Sequence, residues 1–526
     1  MASFFSKYYN YIFLVVVLFY NVFPKKARPF VLLLSSLVFY FVISKFLILC
    51  LISTIISIYF GARFLDRFNK ERDKKLESAT KEEKQEIKQK YKKKNKLVLL
   101  VCILFNVAFL FVFKYLKFFV INTNAILDLF NINSGLKIHK IIAPIGVSFY
   151  TLQALSYLFD VYNGKQESDK NFFRVALFIS FFPQIMEGPM ARYEDTAHDL
   201  YEGHKISYNN LCFGLQRIGW GLFKKMVIAD RLNILVKTVF SDFNILSGPV
   251  IFLGAAAYTM MLYMEFSASI DVVIGIGEMF KVKIPENFRQ PFFSKNISEF
   301  WTRWHISLGK WFKDYIYYPI SLSKPMKKMT VKMRKILGNY YGPLISGSIA
   351  LFTVWLLNGL WHGAGWTFIA FGLYHFILIF FENITQKPVN ALCGKLKINQ
   401  KNYIYRFFQS LRVILLVIIG ELIFRAETMS DAITMLKRMF TKFNIHSWEF
   451  TKLGLDMPDY VILFVSIIVV LAIGIIREMN INIREKIASK HIAIRWIIYY
   501  VLIFAILIFG AYGPGYQPID PIYADF

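Results

Sequence analysis

Lys92-Lys-Lys-Asn-Lys96 runs without a break into Leu97-Val-Leu-Leu-Val-Cys-Ile-Leu-Phe-Asn-Val-Ala-Phe-Leu-Phe-Val-Phe113, and that junction decides the fold class. Seventeen residues without a charge, rising about 1.5 Å each as helix, nearly cross a hydrocarbon layer about 30 Å thick. Only Lys114 and Lys117 interrupt the apolar run before residue 121. No polar alternation that would mark a half-buried strand is present. The lysines end where the lipid begins.

Outward from this junction, similar stretches recur at 5–24, 28–45, 46–62, 141–161, 172–190, 209–229, 247–264, 265–280, 343–361, 364–382, 404–424, 459–476 and 494–511. The 526 residues are 56% hydrophobic and include 54 Phe and 30 Tyr, more than a soluble core would bury. The expectation is an all-α polytopic membrane protein with eleven to fourteen crossings, the shortest candidates being half-helices or interfacial.

The formal charge is 62 − 35 = +27. In a soluble protein this would point to nucleic acid. Here the cations gather in the short gaps between apolar stretches, as in cytoplasmic loops, and no nucleic-acid partner is expected. Residues 63–96 hold 14 Lys or Arg against 7 Asp or Glu and read as a charged helix or hairpin on the cytoplasmic face. Three spans before it put the N-terminus outside. The basic segments 321–336, 383–406 and 477–495 then alternate with the mixed-charge segment 425–458, and fourteen crossings put the C-terminus outside too.

Tyr11–Phe23 has no small-residue cleavage site and reads as a retained span. Cys50, Cys102, Cys212 and Cys393 lie far apart and read as apolar fillers. With neither repeat nor linker, 1–526 reads as one membrane domain. Within it, 63–96 is the charged cytoplasmic segment, 297–320 an interfacial or re-entrant helix, and 494–526 the last span with its outside tail.

Polar groups at membrane depth are costly and mark function. One such segment is Phe300-Trp-Thr-Arg-Trp-His305-Ile-Ser-Leu-Gly-Lys-Trp311-Phe-Lys-Asp314-Tyr-Ile-Tyr-Tyr-Pro319. As one helix it sets Trp301, Trp304, His305, Leu308, Phe312 and Tyr315 on a buried face and Arg303, Lys310 and Lys313 elsewhere. His305 is then either a structural histidine or a functional one. The other segment is Trp355-Leu-Leu-Asn358-Gly-Leu-Trp361-His362-Gly-Ala-Gly365-Trp366. A helix reaching His362 puts Asn358 one turn earlier on the same face, where its amide could orient the imidazole or bind an oxyanion. Imidazole suits proton abstraction from a hydroxyl near neutral pH, and Gly363 and Gly365 would admit a substrate to the backbone. His375 is off that face and reads as structural. Glu187, Glu265, Asp271, Asp314 and Glu421 are acids in apolar surroundings, each with ion pairing as its simplest explanation.

At these residues the sequence resembles the membrane-bound O-acyltransferases, in particular the bacterial branch of alginate O-acetyltransferases and, less closely, the D-alanyl transfer proteins of teichoic acid synthesis. The stretches that carry the resemblance are Pro144-Ile-Gly-Val-Ser-Phe-Tyr-Thr-Leu-Gln153, Phe182-Pro-Gln-Ile-Met-Glu-Gly-Pro189, Gly221-Leu-Phe-Lys-Lys-Met-Val-Ile-Ala-Asp230, Phe300–Leu308, Asn358–Ala364 and Phe424-Arg-Ala-Glu427. It implies a ring of helices around a central funnel and tunnel, with His362 at the family's invariant histidine and His305 at its more variable one. It implies His362 as general base on an acceptor hydroxyl that attacks an acyl thioester, with Asn358 polarising the carbonyl. Trp301, Arg303, Trp304, Trp361, Glu265, Asp271 and Asp314 are then candidates for the substrate or donor path. Glu265, Ala268 and Ser269 depart from the branch's usual Asp, Gly and Tyr, which puts donor size or acceptor preference in doubt.

The chain ends Pro521-Ile-Tyr523-Ala-Asp-Phe526. This is similar to the branch's aromatic tail and makes Tyr523 a candidate acyl relay, although Pro521, Ala524 and Asp525 depart from that tail. By the same resemblance no bound cofactor or metal is expected. The donor is a co-substrate on the cytoplasmic face, acetyl-CoA or an acyl carrier protein thioester. The partner is an extracytoplasmic, esterase-like transferase, the setting is the bacterial inner membrane with its lipid, and the product is an O-acylated cell-surface polysaccharide or peptidoglycan. D-alanyl transfer, lipid or protein acylation, and transport of a lipid-linked glycan are the alternatives.

Overall fold

The computed structural model describes residues 7–132, 136–137 and 141–512. Tyr523 and its tail lie outside the described residues. A backbone in hydrocarbon must satisfy its own hydrogen bonds, and among the described residues the regular structure is helical throughout, with no strand. Among the described residues, eight helical stretches are long and apolar enough to cross a membrane: Arg28–Glu77, Lys81–Leu129, Gly248–Met279, Lys324–His362, Trp366–Lys395, Tyr403–Arg425, Met457–Glu478 and Ile492–Phe509. The chain is a multi-pass membrane protein.

The expected spans merge into fewer, longer elements. Residues 28–45 and 46–62 fall in one stretch, broken only where Lys45 turns left-handed at φ 49°. Residues 247–264 and 265–280 are one helix of 32 residues. Others are short because protein rather than lipid covers them. Val147–Tyr162 is 16 residues long and buried almost throughout, and Phe172–Ser180 has only nine residues. Length and apolarity alone do not separate a lipid-covered helix from a core one.

The charged 63–96 segment is a continuous helical hairpin. Ile48–Glu77 and Lys81–Leu110 run through it, and a reciprocal Thr80/Glu83 cap starts the second helix. Asn95 Nδ2 donates to Asn69 Oδ1 at 2.7 Å between them, and Tyr91 is buried.

The chain packs as two compact units. Among the described residues, one comprises those up to Leu215 and Val273–Pro285, the other Gln216–Val272 and those from Glu286 onward. The chain crosses between them inside the helices Tyr208–Leu222 and Gly248–Met279 and again in the loop at Pro285–Glu286, and no change of composition marks the two crossings inside helices. In the first unit, Gly146 (φ +69°) sits where a Cβ would lie 1.9 Å from the Ile185 carbonyl oxygen. Only glycine tolerates that approach, and it locks the 144–153 stretch onto the 182–189 stretch. The second unit holds both histidine segments.

Candidate active site

The helix that carries His362 begins at Ser323, whose hydroxyl caps Met326 N, and reverses at Gly338 (φ 76°). The reversal folds residues 324–337 back on the apolar part, with Thr330 and Ser346 hydroxyls 2.8 Å apart. The helix stops at His362 because Gly363 turns extended, and Gly365 opens the Trp366–Lys395 helix. These two helices touch backbone to backbone. A Cβ on Gly359 would lie 2.4 Å from the Phe368 carbonyl oxygen, and one on Gly372 would lie 2.3 Å from that of Trp355. Gly363 is filled as well, since its Cβ would sit 2.2 Å from the Phe368 ring. That glycine makes room for an aromatic side chain of the protein, not for a substrate as the sequence reading had it.

His362 and Asn358 therefore stand one turn apart at a buried helix end, 6% and 8% exposed. Around the imidazole are the rings of Trp361 (4.9 Å between centroids), Phe424 (5.2 Å) and Phe371 (5.9 Å), all edge-on. Trp361 also meets the His305 ring at 5.5 Å, so one indole separates the two imidazoles. The Oδ1 of Asn358 is buried without a hydrogen bond to any described residue, an acceptor with nothing to accept.

The 297–320 segment is not one helix. Ile297–Arg303 and Ile306–Phe312 are separated at Trp304–His305, and His305 takes the left-handed conformation (φ 47°, ψ 50°). The single-face wheel therefore fails, although Trp304, His305, Leu308, Phe312 and Tyr315 are all buried. Left-handed backbone at a bulky residue is costly and persists only where surroundings enforce it. Asn287 enforces it here: its carbonyl accepts from Ile306 N at 3.0 Å, and its Oδ1 accepts from Ser307 N and Oγ, each at 2.9 Å. No periodicity in the sequence points to Asn287. Burial pushes the His305 imidazole down to about 3, so it is neutral at physiological pH.

The other candidates divide. Trp304 stacks on Phe300 at 5.5 Å, while Trp301 donates its indole N–H to His375 Nδ1 at 3.3 Å and packs on Trp355 at 4.8 Å. His375 is wholly buried in that aromatic layer. Arg303 is held by both carboxylate oxygens of Glu478 (2.9 Å each) and by Glu299 at 2.8 Å, an arrangement that braces the short helix. Asp314 is half-buried in a π-helical turn, Lys313–Tyr317.

Glu265 and Asp271 are engaged in ion pairs. Asp271 lies 2.8 Å from Arg217 and 2.7 Å from Lys224, and Arg217 continues to Glu286 at 2.6 Å. Lys225 lies 2.9 Å from Glu265 and 2.5 Å from Asp230. The π-helical turn Phe223–Ala229 turns both consecutive lysines inward. Counting charges assigns cations to loops, so sequence reasoning missed Arg217, Lys224 and Lys225. The acids 265 and 271 were the only signal that counter-charges were needed.

Residues 87–333 match the model of the membrane-bound O-acyltransferase family. The chain is 33% identical over 368 residues to the Pseudomonas putida protein named "Probable alginate O-acetylase AlgI", covering 69% of each. It is 34% identical over 300 residues to a peptidoglycan O-acetyltransferase of Helicobacter pylori, covering 52% of this chain and 53% of that one. It is 30% identical over 253 residues to a teichoic acid D-alanyltransferase of Bacillus subtilis, covering 47% and 61%.

Proposed function

The chain belongs to the membrane-bound O-acyltransferase family and is an O-acyltransferase, and on that premise we propose that it moves an acetyl group from a cytoplasmic thioester across the bacterial inner membrane to hydroxyls of a cell-surface polysaccharide or peptidoglycan. The observation that carries this reading is the His362–Asn358 pair, one turn apart at a buried helix end and enclosed by aromatic rings.

In this reading His362 takes the proton of the acceptor hydroxyl as its oxygen attacks the thioester carbonyl. Asn358 stabilises the oxyanion through its amide N–H. Collapse of the tetrahedral intermediate breaks the C–S bond, and the departing thiolate takes the proton from His362. The ring of Trp361, Phe371 and Phe424 excludes water that would otherwise hydrolyse the acyl group. His305, neutral and on the far side of Trp361, lines the donor path. The donor is acetyl-CoA or an acyl carrier protein thioester, delivered from the side that carries the basic segments, and both termini face outward. Tyr523 relays the acyl group to an exported esterase-like partner. Transfer of D-alanine is the second reading, favoured by the likeness to the Bacillus subtilis protein.

The test is the alkali-labile ester content of envelopes from a deletion strain carrying the wild type or His362→Ala. Acetate restored by the wild type alone supports the assignment, whereas D-alanine would select the second reading. Equal restoration by both would remove His362 as the base.

A further inference from the structure

Where the Gly248–Met279 helix ends, the chain turns through Lys281 in the left-handed conformation (φ 58°), and Val282 N donates to the Gly277 carbonyl at 2.8 Å. Glycine is the usual residue at such a turn, and a bulkier one is held there at a cost. Around this turn the side chains alternate. Phe280, Val282 and Ile284 are buried, while Lys281 and Lys283 are exposed on the other side. Among the described residues no hydrogen bond or ion pair engages either ammonium group. The two lysines line a cleft of about 550 Å³, within the roughly 300–1,000 Å³ typical of small-molecule sites. Asp199, His204, Asn209, Phe213 and Glu278 line it too, and all of these residues belong to the first unit. His204 is within electrostatic range of Lys281 and of Asp199, and Asp199 Oδ2 accepts from Lys283 N at 3.3 Å. Cations and acids therefore stand side by side in one cleft.

The cleft lies where spans end. Gly248–Met279 stops beside it, and Arg28, the first residue of the Arg28–Glu77 stretch, donates from Nη1 to the Gly203 carbonyl at 3.0 Å, next to His204. On the Tyr208–Leu222 helix, Tyr208 and Leu215 are exposed two turns apart on one face, beside the face that brings Asn209 and Phe213 to the cleft. An apolar stripe thus leads to a polar cleft of both signs. A nucleotide would leave the stripe unused and bring only negative charge. A phosphatidylglycerol would use the stripe and the lysines but leave Asp199 unmatched. A phosphatidylethanolamine meets each feature, with a phosphate for the cations, an ammonium for the carboxylate and acyl chains for the stripe. We propose that this cleft is a headgroup site for phosphatidylethanolamine, its phosphate held by Lys281, Lys283 and His204, its ammonium by Asp199, and its chains lying along Tyr208 and Leu215. The assignment does not depend on acyl transfer.

The test titrates the full chain, purified in detergent, with dioleoylphosphatidylethanolamine, dioleoylphosphatidylglycerol or CoA and follows bound molecules by native mass spectrometry. The wild type is expected to bind one phosphatidylethanolamine about tenfold more tightly than phosphatidylglycerol. Lys281→Gln combined with Lys283→Gln should weaken that binding about tenfold or more. Asp199→Asn should bring the two lipids within about twofold of each other, and it carries the test if the double variant does not fold. Equal wild-type affinity for the two lipids would overturn the proposal, as would a preference that survives unchanged in the folded variants. A ladder of equally weak lipid adducts would reduce the cleft to ordinary contact with surrounding lipid and overturn it too. Binding of CoA more tightly than either lipid, lost with the two lysines, would make the cleft a nucleotide site instead.

Discussion

Two regions of the second unit bury polar side chains, and they do it in opposite ways. Around the Phe223–Ala229 turn, Asp271 and Glu265 each have a cation within 3 Å, at 2.7 and 2.9 Å. Around His362 the polar atoms sit among rings, and Asn358 Oδ1 has no partner among the described residues. A buried charge is tolerated when paired, so the first region is complete as it stands. In the second, His362 lies among three aromatic rings. Burial of a polar residue at membrane depth therefore does not by itself mark chemistry.

The sharpest break between the two would come from His362→Ala. Loss of a general base costs roughly 10²–10⁴-fold in turnover. His362 sits among rings at a helix end, and the purified variant should keep the wild-type heat-aggregation midpoint. A variant that is inactive because it no longer folds would erase the distinction.

The opposite profile is expected from Lys225→Ala. It removes the ammonium that Asp230 and Glu265 share, and breaking a buried pair costs roughly 3–5 kcal/mol. Folded yield should collapse, while whatever protein survives keeps most of its specific activity. Wild-type stability in this variant would show that the ionic region is not scaffold.

The same contrast explains what the sequence revealed. Apolar runs and the i, i+4 spacing of Asn358 and His362 are local signals, and they survived because the helix does run to His362. The fate of 297–320 depended on Asn287, which no local pattern connects to His305. The inward lysines depended on a π-helical turn and on acids from a distant helix. Helix periodicity cannot register either arrangement, because each is fixed by tertiary contacts.

A third measurement probes the neutral side of the comparison. Burial holds His305 at about 3, below its ordinary 6.5, so the folded protein refuses a proton that the unfolded chain accepts. Stability from the neutral ring is therefore full above pH 6.5 and lost as pH falls toward 3, with about 2 kcal/mol gone by pH 5. His305→Gln should flatten the dependence of the melting midpoint on pH between 7 and 5. Identical slopes for variant and wild type would mean that His305 is hydrated and chargeable.

The smallest effect should come from Trp301→Phe. The indole N–H to His375 Nδ1 is long at 3.3 Å, and a neutral hydrogen bond is worth about 1 kcal/mol. Phenylalanine keeps a ring against Trp355 and Phe371, so most of the packing survives. The layer around His375 should therefore behave as wall, with a midpoint lowered slightly and turnover within about twofold of the wild type. A turnover loss of about tenfold at an unchanged midpoint would be about 1.4 kcal/mol placed selectively in the transition state. Trp301 and His375 would then belong with His362, on the reacting side of the comparison.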